Sequence, residues 1–268
     1  MEGFPDSETL DLEAENGWLT VWFNSPENRN ALTAERAREL TALCGMLATS
    51  GTFRGVVFRG RGGVFCAGGD LKSFGRMSSG QAGYDEIHAL SLAGAELFDA
   101  VAALPQYTIM AVEGSAMAGG LGLTCLGDYV VATRDAKFAL SEVRIGLTPA
   151  QIAPFVIQRL GLRVGRLLML SGARFDGEEA RSIGLVDAVA EDADALAAAI
   201  EHQKKLIAGA APGAVAAIKA QIAQLPFQSR DEQKQAAADS FAKRMLSDEA
   251  REGIASFVEK RKPSWTNG

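Results

Sequence analysis

Residues 64–71 read Val64-Phe65-Cys66-Ala67-Gly68-Gly69-Asp70-Leu71, and residues 113–122 read Glu113-Gly114-Ser115-Ala116-Met117-Ala118-Gly119-Gly120-Leu121-Gly122. Each run of small residues follows a short apolar segment typical of a buried strand and precedes a helical pattern. Small residues let the backbone come close to a ligand. Two such loops from separate segments can direct two N–H groups at one oxygen atom, which is what an oxyanion hole requires.

The segments around these loops predict an α/β layered core. Segments 9–14 and 17–23 alternate apolar and polar residues around Asn16-Gly17, which predicts a β-hairpin. Thr33 is a predicted N-cap for the helix that follows it. Further strands are predicted at 55–58, 107–112 and 128–132, and a long helix at 83–103.

After about residue 190 the pattern changes to alanine-rich helices without a convincing strand. These helices are predicted at 192–209, 212–224, 229–246 and 248–260. Asp176 and Asp248 are predicted N-caps. We therefore divide the chain into a core, residues 1–199, and a helical C-terminal region, residues 200–268, which is expected to pack on the core or on a neighbouring subunit.

Composition argues against several classes of protein. The 268 residues carry 27 Lys and Arg against 33 Asp and Glu, a formal net charge of −6. Nucleic acid is not expected as a partner, because its binding needs a broad basic surface. No uninterrupted apolar stretch reaches about 18 residues, so no membrane span is expected. Cys44, Cys66 and Cys125 form no CxxC pair, which argues against a metal site and favours a reducing, cytoplasmic location.

Neither glycine-rich loop matches a common nucleotide-binding or hydrolase motif. The chain lacks the G-x-G-x-x-G pattern of dinucleotide-binding folds and the G-x-x-x-x-G-K-[ST] pattern of a P-loop. It also lacks the G-x-S-x-G turn of serine hydrolases. With only two histidines, His88 and His202, it offers little for a catalytic triad or a histidine-rich metal site.

Five segments, in order and spacing, resemble the enoyl-CoA hydratase/isomerase (crotonase) superfamily over nearly the whole chain. They are Asn30-Ala31-Leu32, Phe65 to Leu71, Ala111 to Gly122, Phe138 to Glu142 with Ile145 to Pro149, and Phe257 to Pro263. The resemblance implies a crotonase-like (ClpP/crotonase) repeated ββα spiral core with a C-terminal α-helical region, assembled as a homotrimer or hexamer. It also implies an acyl-CoA thioester substrate, with coenzyme A entering only as part of that substrate and no other cofactor.

The resemblance also implies roles for individual residues. The N–H groups of Ala67 and Gly119 would form the oxyanion hole for the thioester oxygen. Phe257 and Lys260 would approach the adenine and 3′-phosphate of a ligand bound to a neighbouring subunit. The other implied substrate-binding residues are Arg29, Ala31, Leu32, Gly68, Gly69, Asp70, Leu71 and Gly120.

Family members carry catalytic glutamates at two positions, and this chain keeps only the second, Glu142; Gly122 occupies the first. The segment after Pro149 also differs from the glycine-rich hydratase pattern. Together these departures resemble the branch acting on isohexenylglutaconyl- and methylglutaconyl-CoA. Separately, Arg144 lies two residues after Glu142 and is a candidate to pair with a distal carboxylate, if the substrate carries one; the alternative is that it points to solvent.

Three functions therefore stay open. The leading prediction is an enoyl-CoA hydratase in which Glu142 takes a proton from water and returns one to Cα. An isomerase that uses the same single carboxylate is the first alternative. A non-catalytic acyl-CoA-binding protein is the second.

Overall fold

The computed structural model describes residues 7–267, beginning with the predicted hairpin. Strands β1 (Leu10–Glu15) and β2 (Trp18–Phe23) pair antiparallel. Asn16 and Gly17 both have positive φ, at 50° and 73°, which is the geometry of the tight turn that Asn-Gly favours between strands. The sequence prediction for this hairpin is confirmed.

A six-stranded sheet forms the centre of the molecule, in the order β1-β2-β3-β4-β6-β9, and every neighbouring pair after the hairpin is parallel. A second sheet has the order β5-β7-β8. The remaining strands are β3 (Gly55–Gly60), β4 (Tyr107–Val112), β5 (Ser115–Met117), β6 (Tyr129–Thr133), β7 (Lys137–Ala139), β8 (Phe175–Asp176) and β9 (Ala188–Ala190). The short strands of the second sheet were not predicted from the sequence, because runs of two or three residues carry no periodicity.

The helices are α1 (Ala34–Thr49), α2 (Leu71–Arg76), α3 (Tyr84–Ala102), α4 (Gly119–Thr124), α5 (Ala153–Ser171), α6 (Gly177–Ser182), α7 (Ala193–Ile207), α8 (Pro212–Gln224), α9 (Arg230–Met245) and α10 (Asp248–Val258). Thr33 caps α1, and Asp176 caps α6 in a capping box with Glu179, both as predicted. The prediction for Asp248 is wrong, because the Ser247 side chain accepts the capping hydrogen bond from the Ala250 N–H.

The inner strands of the central sheet, such as β3 and β4, are covered on both faces and are therefore apolar on both sides. On β3, the side chains of Val56 and Phe58 enter the larger core cluster, which also contains residues of α1, α3, α4 and α5. Val57 points to the opposite face and joins a smaller cluster with Leu196 and Ile200 of α7. The alternation follows from the two-residue period of a strand.

The predicted boundary between residues 199 and 200 falls inside helix α7 and is corrected here. Leu196 and Ile200 are both buried against the central sheet. The helix belongs to the core because its apolar face covers strands of that sheet. The helices that do not cover the sheet begin with α8. The Lys219 side chain of α8 forms an ion pair with Asp128 and donates a hydrogen bond to the Gln106 carbonyl, and these contacts link the helix to the core.

Within residues 7–267, no single helix is long and apolar enough to span a membrane. The segments Ala193–Ile207 and Pro212–Phe227 reach that length and apolarity only together, as a pair bent by 100°.

The docking of α7 predicts unequal effects of two substitutions in this helix. Ile200→Ala should lower the free energy of unfolding by about 2–4 kcal/mol, because it removes a buried side chain and leaves a cavity. Leu206→Ala, at a position 60% exposed in the same helix, should change it by less than about 0.5 kcal/mol. Urea denaturation measures both, and equal small effects would show that α7 does not belong to the core.

Candidate active site

The two glycine-rich loops lie side by side. The Cys66 N–H donates to the Ser115 carbonyl and the Met117 N–H donates to the Cys66 carbonyl, both at 3.0 Å. Gly68 is so close to the second loop that a Cβ built on it would lie 3.4 Å from the Gly119 nitrogen. The two loops are therefore adjacent, which the convergence predicted from the sequence requires.

Strand β7 brings Glu142 to the same place. It pairs with β5 so that Ala139 lies opposite Met117, and the Ala139 carbonyl accepts a hydrogen bond from the Ala118 N–H at 2.8 Å. Glu142 follows three residues later and begins a short 3-10 helix, Glu142–Ile145. The candidate carboxylate and the two loops thus belong to adjacent segments.

In the first loop, the N–H group free to bind a ligand is not the predicted one. The Ala67 N–H donates to the Arg29 carbonyl at 3.0 Å, and the Gly68 N–H faces the Cys66 sulfur at 3.5 Å. Among residues 7–267 the Gly69 N–H has no acceptor. The oxyanion role predicted for Ala67 does not fit this geometry, because its hydrogen already has a partner; Gly69 offers a free donor.

The orientation of the Gly69 N–H is set by its neighbour in the same peptide unit. The Gly68 carbonyl accepts a hydrogen bond from the Leu32 N–H at 2.7 Å. In a planar trans peptide the C=O and the next N–H point in opposite directions. The Gly69 N–H is therefore directed away from Leu32.

The second loop places Gly119 at the first position of helix α4, where an N–H has no partner within the helix. No acceptor for it lies among the described residues. Ala118, just before it, has φ 50° and ψ −120°, a conformation that is strained for a residue with a side chain. Such strain persists where the surroundings enforce it, often at functional sites.

Glu142 is half-buried and one of its oxygens is unpaired. Oε2 is shielded from solvent and has no hydrogen-bond partner in the part of the chain that the structure describes. Burial raises the pKa of this carboxyl group above the ordinary value for glutamate. A carboxyl group kept partly desolvated beside free N–H donors is a candidate general acid and base.

Two other carboxylates, Asp128 and Glu113, and the Cys66 thiol are occupied or inert. Asp128 accepts hydrogen bonds from Thr108 and pairs with Lys219, and Glu113 pairs with Arg59 at 2.7 Å. Burial raises the pKa of the Cys66 thiol to about 11, so it is not a thiolate at neutral pH. Glu142 is left as the group suited to proton transfer.

The space that a side chain at position 122 would need is filled by Ile152. A Cβ built on Gly122 would lie 2.3 Å from Ile152 Cγ2, far inside van der Waals contact. Ile152 is buried and belongs to the main core. The glycine at position 122 and the altered segment after Pro149 were both noted in the sequence. The sequence did not reveal that Ile152 of this segment packs into the space beside Gly122.

Apolar side chains cover the neighbouring part of α4. A Cβ on Gly119 would lie 2.9 Å from Leu32 Cδ1 and 3.6 Å from Phe98 Cζ. The Phe98 ring packs against Phe155, with centroids 6.3 Å apart. Phe98 and Phe155 were not singled out from the sequence, because an aromatic residue in a helical pattern is ordinarily a core residue.

Several predicted substrate-binding residues lie around the first loop. Leu32 forms an isolated parallel β-bridge with Gly69, and the Arg29 carbonyl accepts a hydrogen bond from the Ala67 N–H. Asp70 is the N-cap of α2. The other predicted residues of this group are Ala31, Gly68, Leu71 and Gly120, which belong to the same segments. Phe257 and Lys260 lie at the end of α10, where Phe257 is exposed, and their contact with a neighbouring ligand stays a prediction. The Arg144 Nε donates to the Gly172 carbonyl at 2.7 Å.

Comparisons with known proteins match nearly the whole chain. A family model described as "Enoyl-CoA hydratase/isomerase" matches residues 13–268. AtuE of Pseudomonas aeruginosa is 39% identical, covers 97% of this chain and 100% of its own, and superposes with a TM-score of 0.93. An enoyl-CoA hydratase/isomerase from Marinobacter aquaeolei is 35% identical, with 97% and 99% coverage and a TM-score of 0.92.

A curated relative, the enoyl-CoA hydratase EchA19 of Mycobacterium tuberculosis, is 32% identical over 257 residues, which are 96% of this chain and 96% of its own. The solved neighbours confirm the predicted fold, a ββα spiral core followed by a C-terminal helical region.

The contact between Gly122 and Ile152 predicts a coupled pair of substitutions. Gly122→Ala should lower the free energy of unfolding by about 1–3 kcal/mol through overpacking, although alanine favours helices. Ile152→Ala should cost about 2–4 kcal/mol, and the double variant should cost less than the sum. Gly94→Ala in α3 is the control, because nothing lies within 4 Å of its Cβ position. Additive effects in urea denaturation would contradict the contact.

Proposed function

This chain belongs to the enoyl-CoA hydratase/isomerase family, and on that basis we propose that it is an enoyl-CoA hydratase in which Glu142 transfers the protons. The observation that carries the proposal is the unpaired, half-buried carboxyl group of Glu142 beside two loops with free N–H donors. The family acts on acyl-CoA thioesters, and the proposed substrate is a 2-enoyl-CoA, with branched and glutaconyl-type acyl groups included in the proposal.

The thioester oxygen is proposed to bind between the N–H groups of Gly69 and Gly119. Both donors have no acceptor among the described residues, and their loops are in contact. When water adds to Cβ, negative charge moves onto this oxygen. Fixed donors in a site that excludes water stabilise that charge, and losing one such donor typically costs about 3–4 kcal/mol of the barrier.

Glu142 is proposed to serve first as base and then as acid. The carboxylate accepts a proton from water as the oxygen bonds to Cβ, and the π electrons move through Cα to the thioester oxygen. The neutral carboxyl group then donates that proton to Cα as the carbonyl re-forms. The net reaction is addition of water, and Glu142 returns to its ionised state.

The isomerase alternative is favoured by one observation, the filling of position 122 by Ile152. A water molecule at this site lacks a second carboxylate to orient it, whereas moving a proton between Cα and Cγ needs only one. In the non-catalytic alternative, coenzyme A thioesters would bind without turnover.

The oligomeric state, the cofactor requirement and the cellular location of the protein are part of the same proposal. A homotrimer or hexamer is supported by large apolar side chains that are exposed on the C-terminal helices of a single chain. They include Phe227, Phe241, Leu246, Phe257 and Val258. Coenzyme A is proposed to enter only with the substrate, and the three buried free cysteines agree with a reducing cytoplasm.

Removing the carboxyl group of Glu142 tests the proton-transfer role. Glu142→Gln should lower kcat by about 10²- to 10⁴-fold with little change in thioester affinity. Glu113→Gln, which removes a paired carboxylate beside the same loop, is the control and should stay near wild type. Turnover at the wild-type rate in Glu142→Gln would rule out the role of Glu142.

The raised pKa of Glu142 predicts the pH dependence. The base must be ionised, and burial raises its pKa, so the active form is lost at a higher pH than for an ordinary glutamate. We expect kcat/KM to fall as the pH decreases through that raised pKa and to be constant above it. A profile that stays flat down to the ordinary range of a glutamate pKa would contradict this assignment.

Two substrates distinguish hydratase from isomerase. With crotonyl-CoA, hydration removes the absorbance of the conjugated enoyl group. With a 3-enoyl-CoA, isomerisation creates that absorbance. We expect loss of absorbance with crotonyl-CoA; unchanged crotonyl-CoA with conversion of the 3-enoyl thioester would establish the isomerase, and thioester binding without either change would establish the non-catalytic alternative.

A further inference from the structure

Arg36 is a fully buried cation without a carboxylate partner. It lies in the first turn of α1, and its side chain is 0% exposed. Within residues 7–267 no acidic side chain forms an ion pair with it. Burial lowers the pKa of the guanidinium, yet an arginine stays protonated in proteins. The interior beside the first glycine loop therefore holds a permanent positive charge.

The guanidinium is held by backbone carbonyls and an aromatic ring. Nη1 donates to the Ala31 carbonyl at 2.8 Å, and Nη2 donates to the Thr9 carbonyl at 3.4 Å. The guanidinium carbon lies 5.6 Å from the centre of the Phe23 ring, and Nε has no partner among the described residues. Burying a charge in this way costs stability that an apolar side chain of similar size would not cost.

A continuous chain of hydrogen bonds runs from this cation to the first loop. Arg36 binds the carbonyl of the Ala31–Leu32 peptide, and the N–H of that same peptide donates to the Gly68 carbonyl at 2.7 Å. The Gly68 carbonyl belongs to the peptide that carries the Gly69 N–H. The described residues include no cis peptide, so each unit passes the polarisation from its carbonyl to its N–H.

We propose that Arg36 is a positioning residue that orients and polarises the Gly69 N–H through the two peptide units of Ala31–Leu32 and Gly68–Gly69. The inference rests on the proposed function, in which that N–H binds the thioester oxygen. Hydrogen bonds in such a chain polarise one another, and each one strengthens the next by about 10–30%. The buried charge thus strengthens a donor that it does not touch.

A purely structural role is the competing explanation, because Arg36 also binds the Thr9 carbonyl and joins α1 to the N-terminal segment. The two roles differ in how the charge matters. A purely structural role requires only hydrogen bonds and packing. Polarisation requires the positive charge, so Arg36→Lys should retain more of the effect than the neutral donor in Arg36→Gln or the apolar chain in Arg36→Met.

The first measurement is steady-state turnover of crotonyl-CoA by folded variants. We expect Arg36→Met to lower kcat by about three- to tenfold with KM nearly unchanged, because the charge on oxygen is largest in the transition state. Arg36→Lys should lie between Arg36→Met and wild type. Arg54→Met is the matched control, because the Arg54 side chain also donates only to carbonyls, those of Ala208, Ala210 and Trp265. Arg54 directly precedes strand β3, whereas the first loop follows the other end of that strand.

The second measurement reports polarisation directly. Crotonyl-CoA labelled with a heavy carbon isotope at the thioester carbonyl is bound to the Glu142→Gln protein, in which we expect it to be turned over very slowly. The infrared stretching frequency of the labelled carbonyl is recorded with each residue at position 36 and compared with that of unbound crotonyl-CoA. Hydrogen bonding lowers this frequency. We expect the shift to decrease in the order arginine, lysine, glutamine, methionine at position 36, and to be unaffected by Arg54→Met.

The outcomes separate this inference from the proposed function. A shift that is the same for every folded Arg36 variant overturns the role of Arg36, whatever happens to stability. If Arg36→Met does not fold, the comparison of Arg36→Lys with Arg36→Gln decides in the same way. Bound crotonyl-CoA with no shift at all, even when Arg36 is present, would instead overturn the proposed oxyanion hole.

Discussion

The hydrogen bond from the Leu32 N–H to the Gly68 carbonyl is the constraint on which the candidate site depends. It fixes one peptide plane, and that plane determines where the Gly69 N–H points. The same contact holds Leu32 against the second loop, where its side chain limits what position 119 can carry. Glycine is required at position 68, where φ is 86° and a Cβ would lie 2.7 Å from the Met117 carbonyl oxygen of the second loop.

The candidate site combines free N–H donors with one half-buried carboxyl group. The Gly69 N–H belongs to a hydrogen-bond chain that begins at the buried cation of Arg36, and Glu142 follows strand β7, which pairs with the second loop. Leu32 and Phe98 place apolar atoms beside Gly119. Low polarity around these groups strengthens each electrostatic contact and also explains why burial raises the pKa of Glu142.

Local chemistry made much of this predictable from the sequence. Asn16-Gly17 specifies its turn, Thr33 specifies a helix start, and the glycine runs indicate loops that approach a ligand. The choice between Ala67 and Gly69 was not predictable in this way, because it depends on which N–H a distant carbonyl, that of Arg29, already occupies. The predicted boundary at residue 200 differs from the structure for a similar reason. The alanine-rich pattern of α7 does not reveal that this helix covers one face of the central sheet.

The close contact between Gly122 and Ile152 makes the two positions depend on each other. A carboxylate at position 122 would also require a smaller residue at position 152, because the two side chains would occupy the same volume. Either change alone leaves a collision or a void. Adding a carboxylate to this part of the site would therefore have to begin at position 152, where a smaller side chain would make the room that position 122 lacks.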